Sequence, residues 1–403
     1  MWSRRLFAKL SFCVLFAAAT VAGFAAPAAA MIDTNAEHAV LMDAATGQVL
    51  WQKNGHVAMP PASMSKLMTL DLLFQQLKDG RVKLTDRFPV SEQAWRTGGS
   101  KMFVMVGNSI AVEDLIRGII IQSGNDACVV VAEALGGTVE GFVKMMNRRA
   151  KELGLENSHF VNPNGLPDPP GQLMSAYDLA RVAHDIIVND AQYYHYFSER
   201  DFTWNNIHQP NRNTVLEKFP GADGLKTGFT DAAGYGVVAS AVQGGRRLIL
   251  VLGGLRFPDL DKYAPVKRDW IAEQRRGDEA ARVLGVAFRE FRQYKLFGPN
   301  DVVGQAPVWQ GSKDSVPLKL GAPLAVTMQV ESRDQMKVTL SYEGPVQAPV
   351  ALNQPIGKLT VTAPEFPGIT VPVYAAEPVE SAGFLSRIYM GLHALVSGPP
   401  APK

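Results

Sequence analysis

The spacing of apolar and polar positions changes several times along the chain, and each change marks a segment. "HAVLMDAATGQVLWQK" (38–53) alternates on both sides of Thr46-Gly47, which predicts two strands joined by a turn. "PPASMSKLMTLDLL" (60–73) sets two prolines before a helical pattern. Proline suits a first helical turn, where its missing N–H has no partner, so a helix carrying Ser63 is expected, running to about Leu77. "VEDLIRGIII" and "DACVVVAEAL", between Val112 and Gly136, read as two buried helices broken by "QSGN". The break sets Ser123-Gly124-Asn125 on a tight loop and Asp126 at the positive end of the second helix.

"NSHFVNPNGLPDPPGQ" (157–172) is too rich in Asn, Pro and Gly for anything but a loop, and "SAYDLARVAHDII" (175–187) returns to helix with Ser175 as its cap. From Gly224 the pattern turns to sheet in "GLKTGFT", "GYGVVASAVQ" and "RRLILVLGG", the last two joined through Gly244-Gly245, a hairpin signal. Helical spacing resumes over 273–291. This order predicts an α/β (α+β) catalytic unit over 31–292, an antiparallel sheet flanked by helices. Beyond Gly298, "LAVTMQV", "MKVTLSY", "GKLTVT" and "TVPVYA" alternate with period two between turns, so a small all-β second domain is expected over 299–377.

The two ends differ from the rest. Residues 1–30 hold Arg4, Arg5 and Lys9, an apolar run from Leu10 to Phe24 and an Ala28-x-Ala30 cleavage pattern, which reads as an export signal peptide. Ser3-Arg4-Arg5-Leu6-Phe7 also fits a twin-arginine signal, so the export route stays open. In "SAGFLSRIYMGLHALVSG" (381–398), Phe384, Leu385, Ile388, Leu392, Leu395 and Val396 share one helical face. That run is too short to span a bilayer. It either lies in a membrane surface or packs on the β domain, and export followed by an amphipathic end favours peripheral membrane contact.

With 403 residues, 47% hydrophobic and 19% charged, the chain is long enough for two cored domains. Its formal charge is +2, but the signal carries three of the 40 basic residues and none of the 38 acidic ones, so the exported part is near neutral. A nucleic-acid partner loses its support. Of two cysteines only Cys128 lies outside the signal, which excludes an internal disulfide. The seven histidines show no metal-ligand spacing, so no metal or other cofactor is expected.

Ser63 and Lys66 stand three residues apart, and positions i and i+3 of a helix share a face. Alone this pair is weak: two common residues at that spacing read equally well as a cap and a solvated lysine. Two further triplets, Ser123-Gly124-Asn125 and Lys226-Thr227-Gly228, change the balance. Each of the three patterns occurs once, at a helix start, an inter-helix loop and a strand respectively. A serine hydroxyl is a poor nucleophile without a base, and Lys66 serves as one only if burial and a second cation, Lys226, lower its pKa. Ser123 can relay a proton, Asn125 can bind a substrate amide or orient Lys66, and the N–H groups of Ser63 and Phe229 can hold an oxyanion.

"PPASMSKLMT", "SGNDA" and "DGLKTG" closely resemble the penicillin-binding DD-peptidase and serine β-lactamase superfamily, and within it the low-molecular-mass D-alanyl-D-alanine carboxypeptidases. The resemblance covers nearly the whole chain. It implies Ser63 as acyl-ester nucleophile, Lys66 as proton acceptor, Ser123 as third catalytic residue, and Lys226 with Thr227 as binders of the substrate's terminal carboxylate. The implied substrate is a peptidoglycan stem peptide ending in D-Ala-D-Ala, with β-lactams as covalent inhibitors and a periplasmic location at the outer face of the cytoplasmic membrane. Two positions depart from the pattern: Phe229 and Asn164 stand where relatives often carry histidine. Arg276 lies where relatives place an arginine near the carboxylate, but its helix context reads as a solvated surface. A β-lactamase would need a loop glutamate to activate water, and the 157–170 loop offers only Asp168 as an acid. DD-endopeptidase and non-catalytic peptidoglycan-binding scaffold remain as alternatives.

Overall fold

The computed structural model describes residues 32–397; the expected signal at 1–30 lies outside the described residues. Five antiparallel strands make the central sheet: β1 (His38–Asp43), β2 (Val49–Lys53), β3 (Ala222–Thr230), β4 (Gly234–Gln243) and β5 (Arg246–Leu255). Their spatial order is β2-β1-β5-β4-β3, which leaves β3 on an edge. Gly244 and Gly245, at φ +58° and +76°, turn β4 into β5, as a two-residue hairpin requires.

Helices cover both faces. On one side pack α1 (Lys66–Lys78), α2 (Val112–Ile120), α3 (Asn125–Gly136), α4 (Val139–Glu152) and α5 (Ala176–Asn189); on the other lies α6 (Pro265–Glu290). The strands therefore bury both faces: Val40, Met42, Val238 and Val251 join the core of the first side, and Leu41, Val237, Leu250 and Leu252 that of the second. This is why "VVASAV" and "LILVL" read as unbroken apolar runs.

Two elements differ from expectation. Ser63 sits on a 3₁₀ turn, Ala62–Ser65, and Lys66 is the first α-helical residue. Helix α6 starts eight residues before the expected 273, with Pro265 at its first turn; its polar amino-terminal half hid the periodicity.

Strand Phe291–Phe297 follows α6 without an intervening residue and pairs with Leu324–Gln329. A six-stranded sheet, in the order Lys337–Tyr342, Pro355–Ala363, Phe366–Ala375, Ser315–Leu320, Val302–Trp309, Val346–Gln347, completes the β module around its own core. The module meets the central sheet where Thr327 Oγ1 donates to Asp43 Oδ2 at 2.8 Å in a buried contact. Helix α7 (Phe384–Ser397) ends the described chain. Its Phe384, Leu385 and Leu392 are 70%, 80% and 60% exposed, so this apolar face is not packed on the β module. The side chains of Leu395 and Val396 lie outside the described residues. Among the described residues no helix is long and apolar enough to cross a membrane.

Candidate active site

The edge strand β3 runs beside the 3₁₀ turn. Cross-strand partners share a face of a sheet: Lys226 pairs with Val238 and Gly228 with Gly236, which turns both toward α1, whereas Thr227 and Phe229 pair with Val237 and Tyr235 toward α6. Gly228 permits the contact with the turn. A Cβ there would lie 3.0 Å from Pro61 O and 3.1 Å from the backbone nitrogens of Ser63 and Met64. The absent side chain thus admits the serine turn itself, in addition to keeping the strand edge clear.

On the turn, Lys66 Nζ is 2.5 Å from Ser63 Oγ and donates to Asn164 O at 2.7 Å. That carbonyl belongs to the 157–172 loop, which Thr69 Oγ1 also ties to α1 through Pro163 O at 2.6 Å. The loop fits this closely because Gly165 adopts φ +81°, and a Cβ there would fall 2.0 Å from Ala62 O. Asn164 is buried; its carbonyl serves Lys66, while its side chain accepts from Leu166 N at 3.1 Å.

Lys226 Nζ donates to Ser123 Oγ at 3.0 Å, and Ser123 sits at φ +57° between α2 and α3. Ser63 with Lys66 and Ser123 with Lys226 are thus two hydrogen-bonded pairs, near enough for the charge of Lys66 to act on Lys226. Asn125 begins α3; its Nδ2 donates to Gly98 O at 2.8 Å, and its Oδ1 is buried without a partner. Thr227 leaves β3 on the opposite face from Lys226, so the two can share a carboxylate only at the open edge of the strand.

Burial drives the electrostatics. Lys66 is fully buried and its amine is lowered to about 8, mainly by desolvation, with Arg212 adding to the effect and Asp126 opposing it. Lys226 is driven well below its ordinary value by burial first, then by the charges of Lys66, Arg212 and Arg276.

Sequence reasoning missed three contributors. Arg276 is 2% exposed, donates to Arg212 O at 2.7 Å and is lowered to about 10 by burial, which overturns the solvated reading. Arg212, in a stretch without any motif, donates to Ser100 Oγ at 2.7 Å. Asp126 does more than face a helix dipole: its carboxylate accepts from the N–H groups of Met102, Phe103, Val104 and Ala127 at 2.8–3.1 Å. It clamps the loop whose Gly98 and Ser100 carbonyls hold Asn125. Its place directly after Ser123-Gly124-Asn125 was the one available signal.

Residues 24–255 match the family model of D-alanyl-D-alanine carboxypeptidase, and residues 291–381 that of the penicillin-binding protein 5 C-terminal domain. The chain is 36% identical to the D-alanyl-D-alanine carboxypeptidase DacC of Escherichia coli, over 96% of this chain and 94% of that one. Its fold matches penicillin binding protein 5 from Haemophilus influenzae with a TM-score of 0.75 at 33% identity, covering 87% and 98% of the two chains. Penicillin-binding protein D2 from Listeria monocytogenes, in its ampicillin-bound form, matches at 0.55 with 25% identity over 64% of this chain and 98% of that one. By sequence, by fold and by the two domain models in order, the chain belongs to the serine-type D-alanyl-D-alanine carboxypeptidases, the low-molecular-mass penicillin-binding proteins.

Proposed function

We propose that Ser63 carries the acyl group in release of the terminal D-alanine from peptidoglycan stem peptides. The observation that carries this reading is the 2.5 Å approach of Ser63 Oγ to a fully buried lysine amine whose pKa falls to about 8. A neutral Lys66 takes the hydroxyl proton as Ser63 attacks the penultimate D-alanine carbonyl. The N–H groups of Ser63 and Phe229 hold the oxyanion. Collapse expels D-alanine, whose amine gains its proton through Ser123, and water then frees the enzyme. Lys226 and Thr227 bind the terminal carboxylate, and Asn125 holds the substrate amide.

The test incubates the mature protein with a pentapeptide ending in D-Ala-D-Ala and measures free D-alanine, with a labelled penicillin followed by intact mass. Release and adduct should both vanish in Ser63→Ala and persist with chelators present. An adduct that survives Ser63→Ala would overturn the assignment. The open edge of β3, free for an extended strand, favours DD-endopeptidase action as the second reading; a cross-linked peptide dimer as substrate separates the two.

Residues 31–292 form the catalytic domain in this reading, 299–377 the all-β domain and 381–398 a membrane-contacting helix, on a protein exported to the outer face of the cytoplasmic membrane. The exposed Phe384, Leu385 and Leu392 support surface binding. Removing residues 381–403 should abolish sedimentation with anionic vesicles and leave release from a soluble peptide intact.

A further inference from the structure

Ala222 and Lys226 stand four residues apart on β3, and in an uninterrupted strand such positions share a face. Here they do not. Ala222 pairs with Ala241 and packs on the core of the α6 side, whereas Lys226 pairs with Val238 and reaches Ser123 on the side of α1. The pairing shows why: Ala241 lies opposite Ala222, and its neighbour Ser240 lies opposite Gly224, which leaves Asp223 without a partner on β4. Asp223 is a bulge of one residue, and a slip of one residue turns every later side chain to the other face. Without it the amine of Lys226 would point away from Ser123.

The bulged residue is clamped. Arg247 on β5 reaches across β4 and grips the Asp223 carboxylate with both ends of its guanidinium, Nη1 to Oδ1 and Nη2 to Oδ2, each at 2.7 Å. A forked pair of this kind fixes direction as well as charge. The same Nη1 donates to Ser240 Oγ at 2.8 Å, and the guanidinium lies 4.9 Å over the Tyr194 ring. Tyr194 Oη in turn donates to Asp223 Oδ1 at 2.9 Å. One residue further on, Asn213 Nδ2 donates to Gly224 O at 2.8 Å, and a Cβ on Gly224 would fall 2.5 Å from Tyr194 Oη. Tyr194, Asn213 and Ser240 are all buried.

Among the described residues, the Lys226 amine bonds only Ser123 Oγ and Thr227 O, so the clamp acts on it through the backbone of β3 and not by contact. We propose that Asp223 is a positioning residue: held by Arg247 and Tyr194, it maintains the bulge that aims Lys226 at the substrate's terminal carboxylate. The clamp thereby sets how strongly the enzyme prefers ligands that carry a free carboxylate there. This rests on the reading of Lys226 given above, and the test keeps the two apart.

Acylation of the mature protein is compared for benzylpenicillin and its methyl ester, which lacks the free carboxylate, each followed by intact mass. In the parent enzyme the acid reacts faster than the ester. In Asp223→Ala the ratio of the two rates falls about tenfold, because a misaimed amine costs the acid more than the ester. A general loosening of the fold would slow both alike and leave the ratio where it was. Tyr194→Phe removes one hydroxyl from the clamp and keeps the ring beneath Arg247; the ratio moves the same way by about threefold, and this variant carries the test where Asp223→Ala does not fold. A parent-like ratio in the folded variants would overturn the positioning role. Equal rates for acid and ester in the parent enzyme would overturn the carboxylate reading of Lys226 instead.

Discussion

Lys66 and Asp71 lie five residues apart on α1, both fully buried, yet the two ends of this short span meet opposite surroundings. Around Lys66 the charged neighbours are mostly cations, Arg212 directly and Lys226 with Arg276 beyond, and the two lysine amines contact hydroxyl and carbonyl oxygens. Around Asp71 one guanidinium is shared among several acids. Arg149 Nε reaches Asp71 Oδ2 at 2.8 Å and its Nη2 reaches Asp185 Oδ2 at 2.6 Å, while Asp190 brings a third carboxylate within 4.8 Å of the other two. Burial alone does not mark a working site. Among the described residues the first cluster holds cations with no carboxylate bonded to them. The second sets three acids around one guanidinium, and burial favours their protonated forms, raising Asp71 to about 7 and Asp190 to about 6. The first cluster has the composition to receive a carboxylate, and the second the composition to hold α1 against α4 and α5.

Substitution should separate the two. Lys66→Ala should slow acylation by labelled penicillin by about 10²–10⁴-fold with little change in the denaturation midpoint; an unchanged acylation rate would remove Lys66 from the chemistry. Arg149→Met should do the reverse. It leaves Asp71 buried without its cation, which typically costs about 3–5 kcal/mol, read by urea denaturation, while the folded fraction acylates at the parent rate.

Two smaller effects sharpen the contrast through pH. A protonated amine cannot accept the serine proton, so the acylation rate should rise with pH and level off above about 8, where Lys66 titrates. Asp126 holds that value up, so Asp126→Asn should move the rising limb to lower pH, and an unmoved limb would leave Asp126 as a loop clamp only. In the acidic cluster, burial and then the charge of Asp185 raise the Asp190 carboxyl from 3.8 to about 6, and its Oδ2 has no partner. Its protonated form is favoured by folding, so this contribution to stability is complete below about 4 and is lost as pH rises through about 6. Asp190→Asn should flatten that decline and stabilise the protein at pH 8 by about 1 kcal/mol, seen as a narrower gap between melting temperatures at pH 5 and pH 8.

The same contrast governs how much could be read from sequence. The three motifs were legible because Ser63 and Lys66 touch across one turn, and because the glycines of the other two sit where backbones approach closely. The strands of the central sheet were legible because both faces are buried. Arg212, Arg276 and the acidic cluster were hidden for one reason: each acts through space, across more than 60 residues of chain in the Arg212–Arg276 contact and 78 in the Arg149–Asp71 pair, and no local pattern encodes such meetings. The 3₁₀ geometry under Ser63 was also invisible, since it reflects docking against Gly228 and Gly165 and not propensity in the turn itself.

The junction between α6 and the β module has a mechanical consequence. A helix of 26 residues, about 39 Å long, passes directly into strand Phe291–Phe297, and the buried Thr327–Asp43 bond braces it from the side. The β module is thus joined to the central sheet twice, once through the continuous chain and once through a buried side-chain bond. A residue inserted between α6 and strand Phe291–Phe297 would strain that second joint first, and would turn the module against the sheet without altering a contact among Ser63, Lys66, Ser123 and Lys226.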